Sequence, residues 1–319
     1  MIPPLGTGPE FDRIRAIAQA LGERAGGLGD DCALIDLGGH FLTVSCDISV
    51  EGVHFRREWL SPEEIGWRAA SGALSDLAAM GAEPIGVLAS LAVPPDSPSS
   101  DSVAVMEGIG QAADSVGGKV LGGDLSSSSV WTIDVTVIGR TAEPVRRSGA
   151  HASDGVWVTG RLGSARAALV ALESGLAPEP FRAAFAHPEA RIGAGRWLAR
   201  HGARAMIDLS DGLAGDARHL SAASSVAIEI DLDRLPLGAG VREMSDRLGL
   251  DPCHFAARGG EDYELLVVLP SEFGNEGAIQ FERETSLPLT RIGTVRPGEG
   301  VRLRQAGQEI VLNGFDHFR

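Results

Sequence analysis

The sequence predicts a two-domain protein of the α+β or α/β class. Three observations predict it. The chain has 319 residues, 44% of them apolar, which is more than one hydrophobic core usually organises. Strand-like and helix-like segments alternate in both halves. Between the halves, residues 148–155 turn polar and turn-rich, which assigns 1–148 to an N-terminal domain and 149–319 to a C-terminal one. The alternation leaves parallel and antiparallel pairing open, and no repeat of about 20 to 50 residues is visible.

In the N-terminal half, 33–37 and 40–48 read as strands joined at Gly38-Gly39, a hairpin signal. Ser61-Pro62-Glu63-Glu64 opens a helix with Pro at its first position, and the Ala-rich run 65–80 carries it to Gly81. A strand at 85–93, a Pro/Ser loop at 94–100 and a helix over 101–116 follow. Segments 119–121 and 130–139 are apolar enough for strands, the second rich in β-branched residues. The second half restarts with a strand at 156–159 and helices near 164–174 and 188–200. A strand at 203–209 leads into a helix at 211–223, then a strand at 226–231 and a helix at 238–248. Strands at 264–269, 289–295 and 301–303 close the chain.

Composition excludes several functions. A formal charge of −15 disfavours a nucleic-acid partner, and no dense Arg run offsets it. No apolar run approaches the roughly 18 residues a bilayer needs, because 86–93 is stopped by Pro94-Pro95. Met1-Ile2-Pro3-Pro4 lacks a charged leader, so a cytoplasmic protein with no membrane partner is expected. Cys32, Cys46 and Cys253 form no C-x-x-C pair, which fits neither a disulfide framework nor a zinc site. Lys119 is the only lysine, and Gly117-Gly118-Lys119-Val120 does not fit a P-loop. Gly108-Ile109-Gly110-Gln111-Ala112-Ala113 matches G-x-G-x-x-A, but the stripe Val103, Met106, Ile109, Ala113, Val116 runs helically through it.

The chemistry is written in aspartates, each beside Gly or Ser at a strand or helix end. They are Asp30-Asp31, Asp47, Asp76, Asp124, Asp208 and Asp211. A single loop Asp is ordinarily a turn former or cap. The set asks for more, since two carboxylates about 4 Å apart repel by roughly 4 kcal/mol at an effective dielectric near 20. Oxygen-only ligands suit a hard cation such as Mg²⁺ or Mn²⁺ rather than zinc. Asp76 sits inside a helix, on one stripe with Ala69, Ala73 and Met80, where small neighbours let something approach. The alternative there is a solvent-facing Asp on an amphipathic helix. Ser210 reads as the N-cap of the helix after Asp208, and such an N-terminus can also hold an anion. Gly122-Gly123 before Asp124 would let backbone approach a phosphate.

With these residues in hand, the sequence resembles the thiamine-monophosphate kinase family. That family belongs to the superfamily of aminoimidazole ribonucleotide synthetase and selenophosphate synthetase. The matching blocks are Gly29-Asp30-Asp31-Cys32-Ala33, Asp47, Glu51-Gly52-Val53-His54-Phe55, and Ala73-Leu74-Ser75-Asp76 through Pro84. Gly122-Gly123-Asp124, Arg147-Ser148-Gly149-Ala150, Asp208-Leu209-Ser210-Asp211-Gly212-Leu213, Gly259-Gly260-Glu261-Asp262-Tyr263-Glu264-Leu265 and Gly314-Phe315-Asp316-His317-Phe318 continue in order.

The resemblance implies an N-terminal sheet-and-helix domain that dimerises through its sheet and a C-terminal α/β sandwich domain. It implies transfer of the γ-phosphoryl of ATP to thiamine phosphate, with several Mg²⁺ ions. Asp30, Asp47, Asp76, Asp124 and Asp208 would hold magnesium, with Ser45 and Cys46 beside Asp47 in the metal set and Asp211 near a further ion. Gly123, Asp124, Arg147 and Ser210 would contact ATP. His54, Glu261 and Phe315 would contact thiamine phosphate. Asp31 is left as the neighbour that points away, into solvent or onto the turn's own N–H groups. Two departures stand out. Cys46 is a soft ligand that would suit Mg²⁺ only through its carbonyl, and Tyr263 is the only tyrosine, so one expected before Gly122-Gly123-Asp124 is missing. Since the acceptor would be a phosphate oxygen, already anionic, no catalytic base is expected. Rival readings are an ATP-using relative with another acceptor, a Mg-nucleotide-binding regulator, and a metal-dependent phosphohydrolase.

Overall fold

The computed structural model describes residues 8–312, 314 and 315. The first described element is α1 (Pro9–Leu21), followed by the hairpin of β1 (Ala33–Asp36) and β2 (Phe41–Val50). Gly38 and Gly39 turn it with φ of 76° and 106°, which only glycine adopts readily. In α2 (Pro62–Ala79) the Ser61 hydroxyl accepts from the Glu64 N–H and the Glu64 carboxylate accepts from the Ser61 N–H. This reciprocal cap fixes where the helix begins. Next come β3 (Glu83–Val93), α3 (Ser99–Ser115), β4 (Val120–Ser127) and β5 (Thr132–Thr141).

These strands form one sheet in the order β1-β2-β5-β3-β4, antiparallel except for β3 with β4. Helices α2 and α3 cross almost backbone to backbone. A Cβ at Gly66 would lie 1.9 Å from the Val105 carbonyl oxygen, and one at Gly108 1.9 Å from that of Glu63. The G-x-G motif in α3 is therefore a packing device. Strand β4 runs on to Ser127, so Gly122-Gly123-Asp124 lies within it and not after it. A Cβ at Gly123 would meet the Ala89 carbonyl oxygen at 1.7 Å. The strand pairing itself demands glycine there, whatever else approaches.

The second sheet is built from β6 (Gly155–Thr159), β7 (Ala205–Asp208), β8 (Ala227–Asp231), β9 (Leu265–Leu269), β10 (Leu289–Arg296), β11 (Gly300–Gln305) and β12 (Gln308–Ile310). Its order is β12-β11-β8-β10-β6-β9-β7, with only β11 and β8 parallel. Every residue of β6 and β9 is buried, so both faces of the sheet centre are covered. Helices α4 (Ser164–Glu173), α5 (Arg182–Ala186), α6 (Ile192–Arg200), α7 (Leu213–Ser224), α8 (Val241–Leu248), α9 (Pro252–Ala257) and α10 (Gly274–Thr285) intervene. The two-layer fold class expected from the alternation is the one observed.

Helix α2 is the seam between the sheets. From Ile65 onward all its residues but Trp67 and Asp76 are buried, and Gly195 of α6 comes so close that a Cβ would lie 2.0 Å from the Ala78 carbonyl oxygen. One continuous apolar core, from Phe55 through Leu77 to Leu266 and Ile292, joins both halves. Small residues on α2 thus let a helix carrying Asp76 reach the end of β7, which carries Asp208.

Candidate metal and phosphate site at the seam

Asp31, Asp76 and Asp208 each place a carboxylate oxygen within 4.8 Å of the other two. They come from the loop before β1, the last turns of α2 and the end of β7, so both sheets contribute. Asp31 and Asp208 are buried. The Ser45 hydroxyl, on β2, donates to Asp76 Oδ2. Burial raises the Asp76 carboxyl well above the usual carboxylate range, and the charges of Asp47, Asp208 and Asp31 add to it. Burial, then Asp31, pushes Asp208 up to about 8. Asp47 is pushed up by its protein surroundings and by Asp134.

Among the described residues, Arg147 answers this charge. Arg147 donates to Asp31 Oδ1 from Nε at 3.2 Å and from a terminal nitrogen at 2.7 Å. Despite its burial, Asp31, Asp208 and Asp76 hold the guanidinium firmly protonated. The other Asp31 oxygen, Oδ2, is buried with no hydrogen-bond partner among the described residues. A buried carboxylate oxygen left unpaired costs about 1–3 kcal/mol or more. Three carboxylates, one guanidinium and an orphaned oxygen fit a hard divalent cation, which takes oxygen ligands.

The expectation that Asp31 points away is overturned by this geometry. Asp30 Oδ1 accepts from the backbone N–H of Arg147 at 3.0 Å and of Asp31 at 3.2 Å, and burial with the Asp31 charge raises Asp30 to about 6. One oxygen of Asp30 is thus taken by N–H groups. The Asp31 side chain is 0% exposed and faces Asp76 and Asp208. Neither solvent nor the turn's own N–H groups take it, because Arg147 draws it inward.

Other expected residues fall in different places. Asp47 shares the Ser45 face of β2 by strand alternation, whereas Cys46 points to the exposed opposite face. Asp124 is not in the three-carboxylate group. It pairs across Ser90 with Asp134, which shares the face of Cys46 and Ile48. Asp124, Ser90 and Asp134 line a surface hollow of about 200 Å³ there. Gly123 packs on β3 as described. Ser210 is not an N-cap: α7 begins at Leu213 after Gly212, with no side-chain cap, and the Ser210 carbonyl accepts from the Glu261 N–H at 2.8 Å. Gly212, at φ 96°, lies where a Cβ would press 2.8 Å from the Gly259 carbonyl oxygen. Asp211 donates its N–H to Asp216 Oδ2 at 3.2 Å, and its carbonyl accepts from the N–H of Phe315, whose side chain is exposed. Residues 316–318 of the last block, and Met1-Ile2-Pro3-Pro4, lie outside the described residues. His54 Nδ1 accepts from the Val50 N–H at 3.0 Å, which leaves Nε2 to carry the proton. Glu261 ion-pairs with Arg68.

Sequence reasoning missed Asp134, Arg68 and Asp216. Asp216 is buried, and burial followed by the Asp211 charge raises it well above the carboxylate range. Its signal was available, since Leu213, Asp216, Ala217 and Leu220 share one helical stripe.

Comparison with known proteins places this geometry in a family. Residues 29–141 match the N-terminal domain of AIR synthase related proteins, and residues 154–305 match the C-terminal domain. The thiamine-monophosphate kinase of Aquifex aeolicus (strain VF5) is 36% identical over 97% of this chain and 98% of its own. The chain belongs to the thiamine-monophosphate kinase family. The thiamine-monophosphate kinase of Rhodopirellula baltica is 33% identical over 95% of each chain. The solved structure of AaThiL complexed with AMPPCP and TMP aligns with a TM-score of 0.87 at 35% identity, covering 97% of both chains. The family that the G-D-D, E-G-V-H-F and G-G-E-D-Y-E-L blocks suggest is therefore the one found. No helix among the described residues is long and apolar enough to cross a membrane.

Proposed function

We propose that the chain transfers the γ-phosphoryl of ATP to thiamine phosphate, giving thiamine diphosphate, with Mg²⁺ held at the seam of the two sheets. The convergence of Asp31, Asp76 and Asp208 around an unpartnered oxygen of Asp31 carries this reading. The named relatives, one of them solved with an ATP analogue and TMP, support both substrates.

Phosphoryl transfer needs alignment and charge neutralisation more than covalent help from the protein. Asp31, Asp76 and Asp208, with Asp30, Asp47 and Ser45 beside them, would hold the divalent ions. Those ions would offset the repulsion between an anionic acceptor and the triphosphate. Arg147 lies at the same cluster and supplies fixed positive charge for phosphate oxygens. Asp124, Gly123, Ser210 and Asp211 would serve ATP and its ions from the rim, and the His54 Nε2–H is a donor for the acceptor's phosphate. Glu261 and Phe315 remain candidates for the rest of the acceptor. The acceptor oxygen is already ionised at neutral pH, so no side chain has to remove a proton.

We also take 1–148 and 149–319 as the domains and the protein as a cytoplasmic homodimer. Ile35, Ile48 and Leu88, exposed on the outer face of the first sheet, support pairing through that face. Light scattering on purified protein checks the dimer. For the activity, purified protein is incubated with ATP, Mg²⁺ and thiamine phosphate, and the products are separated. Thiamine diphosphate is expected from thiamine phosphate and not from free thiamine. Phosphate release without an acceptor would favour a phosphohydrolase, and nucleotide binding without transfer a regulator.

A further inference from the structure

Helix α2 presents more than Asp76 to its neighbours. Arg68 lies two turns earlier and Gly72 midway, so the three share one face by their i, i+4, i+8 spacing. Arg68 is 5% exposed. A guanidinium is costly to bury unless its donors are matched. One terminal nitrogen donates to the Phe185 carbonyl at 2.7 Å, and the guanidinium carbon lies 4.0 Å from the Phe185 ring centroid. The other terminal nitrogen makes no aligned hydrogen bond among the described residues and is matched by its ion pair with Glu261 Oε1.

Glu261 occupies an unusual backbone position. It and Tyr263 have φ of 66° and 49°, a region that side-chain-bearing residues seldom adopt and that surrounding contacts must enforce. Those contacts are present. The Glu261 N–H donates to Ser210 O at 2.8 Å and the Tyr263 N–H to Leu209 O at 3.0 Å, while both Asp262 oxygens accept from the Gly163 N–H. Against α2, the Tyr263 hydroxyl packs where a Cβ at Gly72 would lie 3.1 Å from it. The loop is strapped between α2 and the turn that carries Asp208. The Glu261 side chain keeps 28% of its surface open, so the carboxylate paired with Arg68 remains reachable by a ligand.

We infer that Arg68 is a positioning residue for the acceptor. It fixes the Glu261 carboxylate in register with Asp76, on its own helix, and with Asp208. The inference rests on the proposed contact between Glu261 and thiamine phosphate. Lysine keeps the charge at this position but not the planar fork that reaches Phe185 and Glu261 together. The test uses Arg68→Lys, Arg68→Gln, Glu261→Gln and the Arg68→Gln/Glu261→Gln double variant. In Arg68→Gln the KM for thiamine phosphate should rise about tenfold while the KM for ATP stays within about twofold, since a misplaced contact touches one substrate only. Arg68→Lys should show the same split to a lesser degree. Adding Arg68→Gln to Glu261→Gln should change little, because the two act as one unit.

Amide hydrogen exchange of 259–264 reads the strap without turnover. Exchange there should quicken roughly tenfold in Arg68→Gln, with the β9 amides unchanged. Equal rises in both KM values, additive effects in the double variant, or unchanged exchange would overturn the inference. If the wild-type protein makes no thiamine diphosphate, the proposed function fails, and exchange then decides the Arg68 strap by itself.

Discussion

Replacing Asp208 by Asn should stabilise the metal-free protein while abolishing its response to Mg²⁺. Asp208 is 4% exposed, and burial, followed by the Asp31 charge, raises its carboxyl from 3.8 to about 8. An acid whose folded pKa lies above its unfolded value binds more protons when folded. Its burden on stability is absent below about pH 4 and grows as pH rises toward about 8. At pH 7 the gap from 3.8 is about 3 units, worth at most about 4 kcal/mol at 1.36 kcal/mol per unit. With an unfolding entropy near 2.1 cal/mol/K per residue, that corresponds to a Tm rise of about 3–6 °C for Asp208→Asn in EDTA. The two proteins should converge near pH 4. Mg²⁺ should raise the wild-type Tm at pH 8 by mass action and leave the variant unmoved, and turnover should fall by about 10²-fold or more. Thermal melts across pH, with EDTA and with Mg²⁺, measure all of this. A variant less stable than wild type in EDTA at pH 8, or one that keeps the Mg²⁺ shift, would refute the reasoning.

His54→Ala should raise the KM for thiamine phosphate more than that for ATP, and initial-rate kinetics showing equal effects would count against a contact through Nε2. Gly108→Ala should lower stability by about 1–3 kcal/mol, because its Cβ would lie 1.9 Å from the Glu63 carbonyl oxygen and α2 and α3 would have to part. An unchanged melting curve would show that the crossing yields without cost.

Much of this was legible along the chain because the signals are local. Gly38-Gly39 names its own hairpin, and Ser61 with Glu64 names its own cap. Asp76 and Asp208 could be singled out because each carboxylate sits among small residues or at a strand end. The inward turn of Asp31 was not legible, since it depends on Arg147, 116 residues after Asp31. Ser210 carries N-cap chemistry, yet its carbonyl is taken by the distant Glu261 N–H and the helix starts later. Arg68 looks like a solvated charge in sequence, and only the fold shows Phe185 and Glu261 around it. Helix α10 hid for a simpler reason: Phe281 is its one buried residue, too little for a periodic stripe.

Anomalous scattering from crystals grown with Mn²⁺, a non-hydrolysable ATP analogue and thiamine phosphate tests the central claim most directly. Mn²⁺ takes the same oxygen ligands as Mg²⁺ and can be located unambiguously. The account predicts a Mn²⁺ peak bounded by Asp31, Asp76 and Asp208, on the unpartnered oxygen of Asp31. Peaks elsewhere, with those three carboxylates bound to no metal, would contradict it.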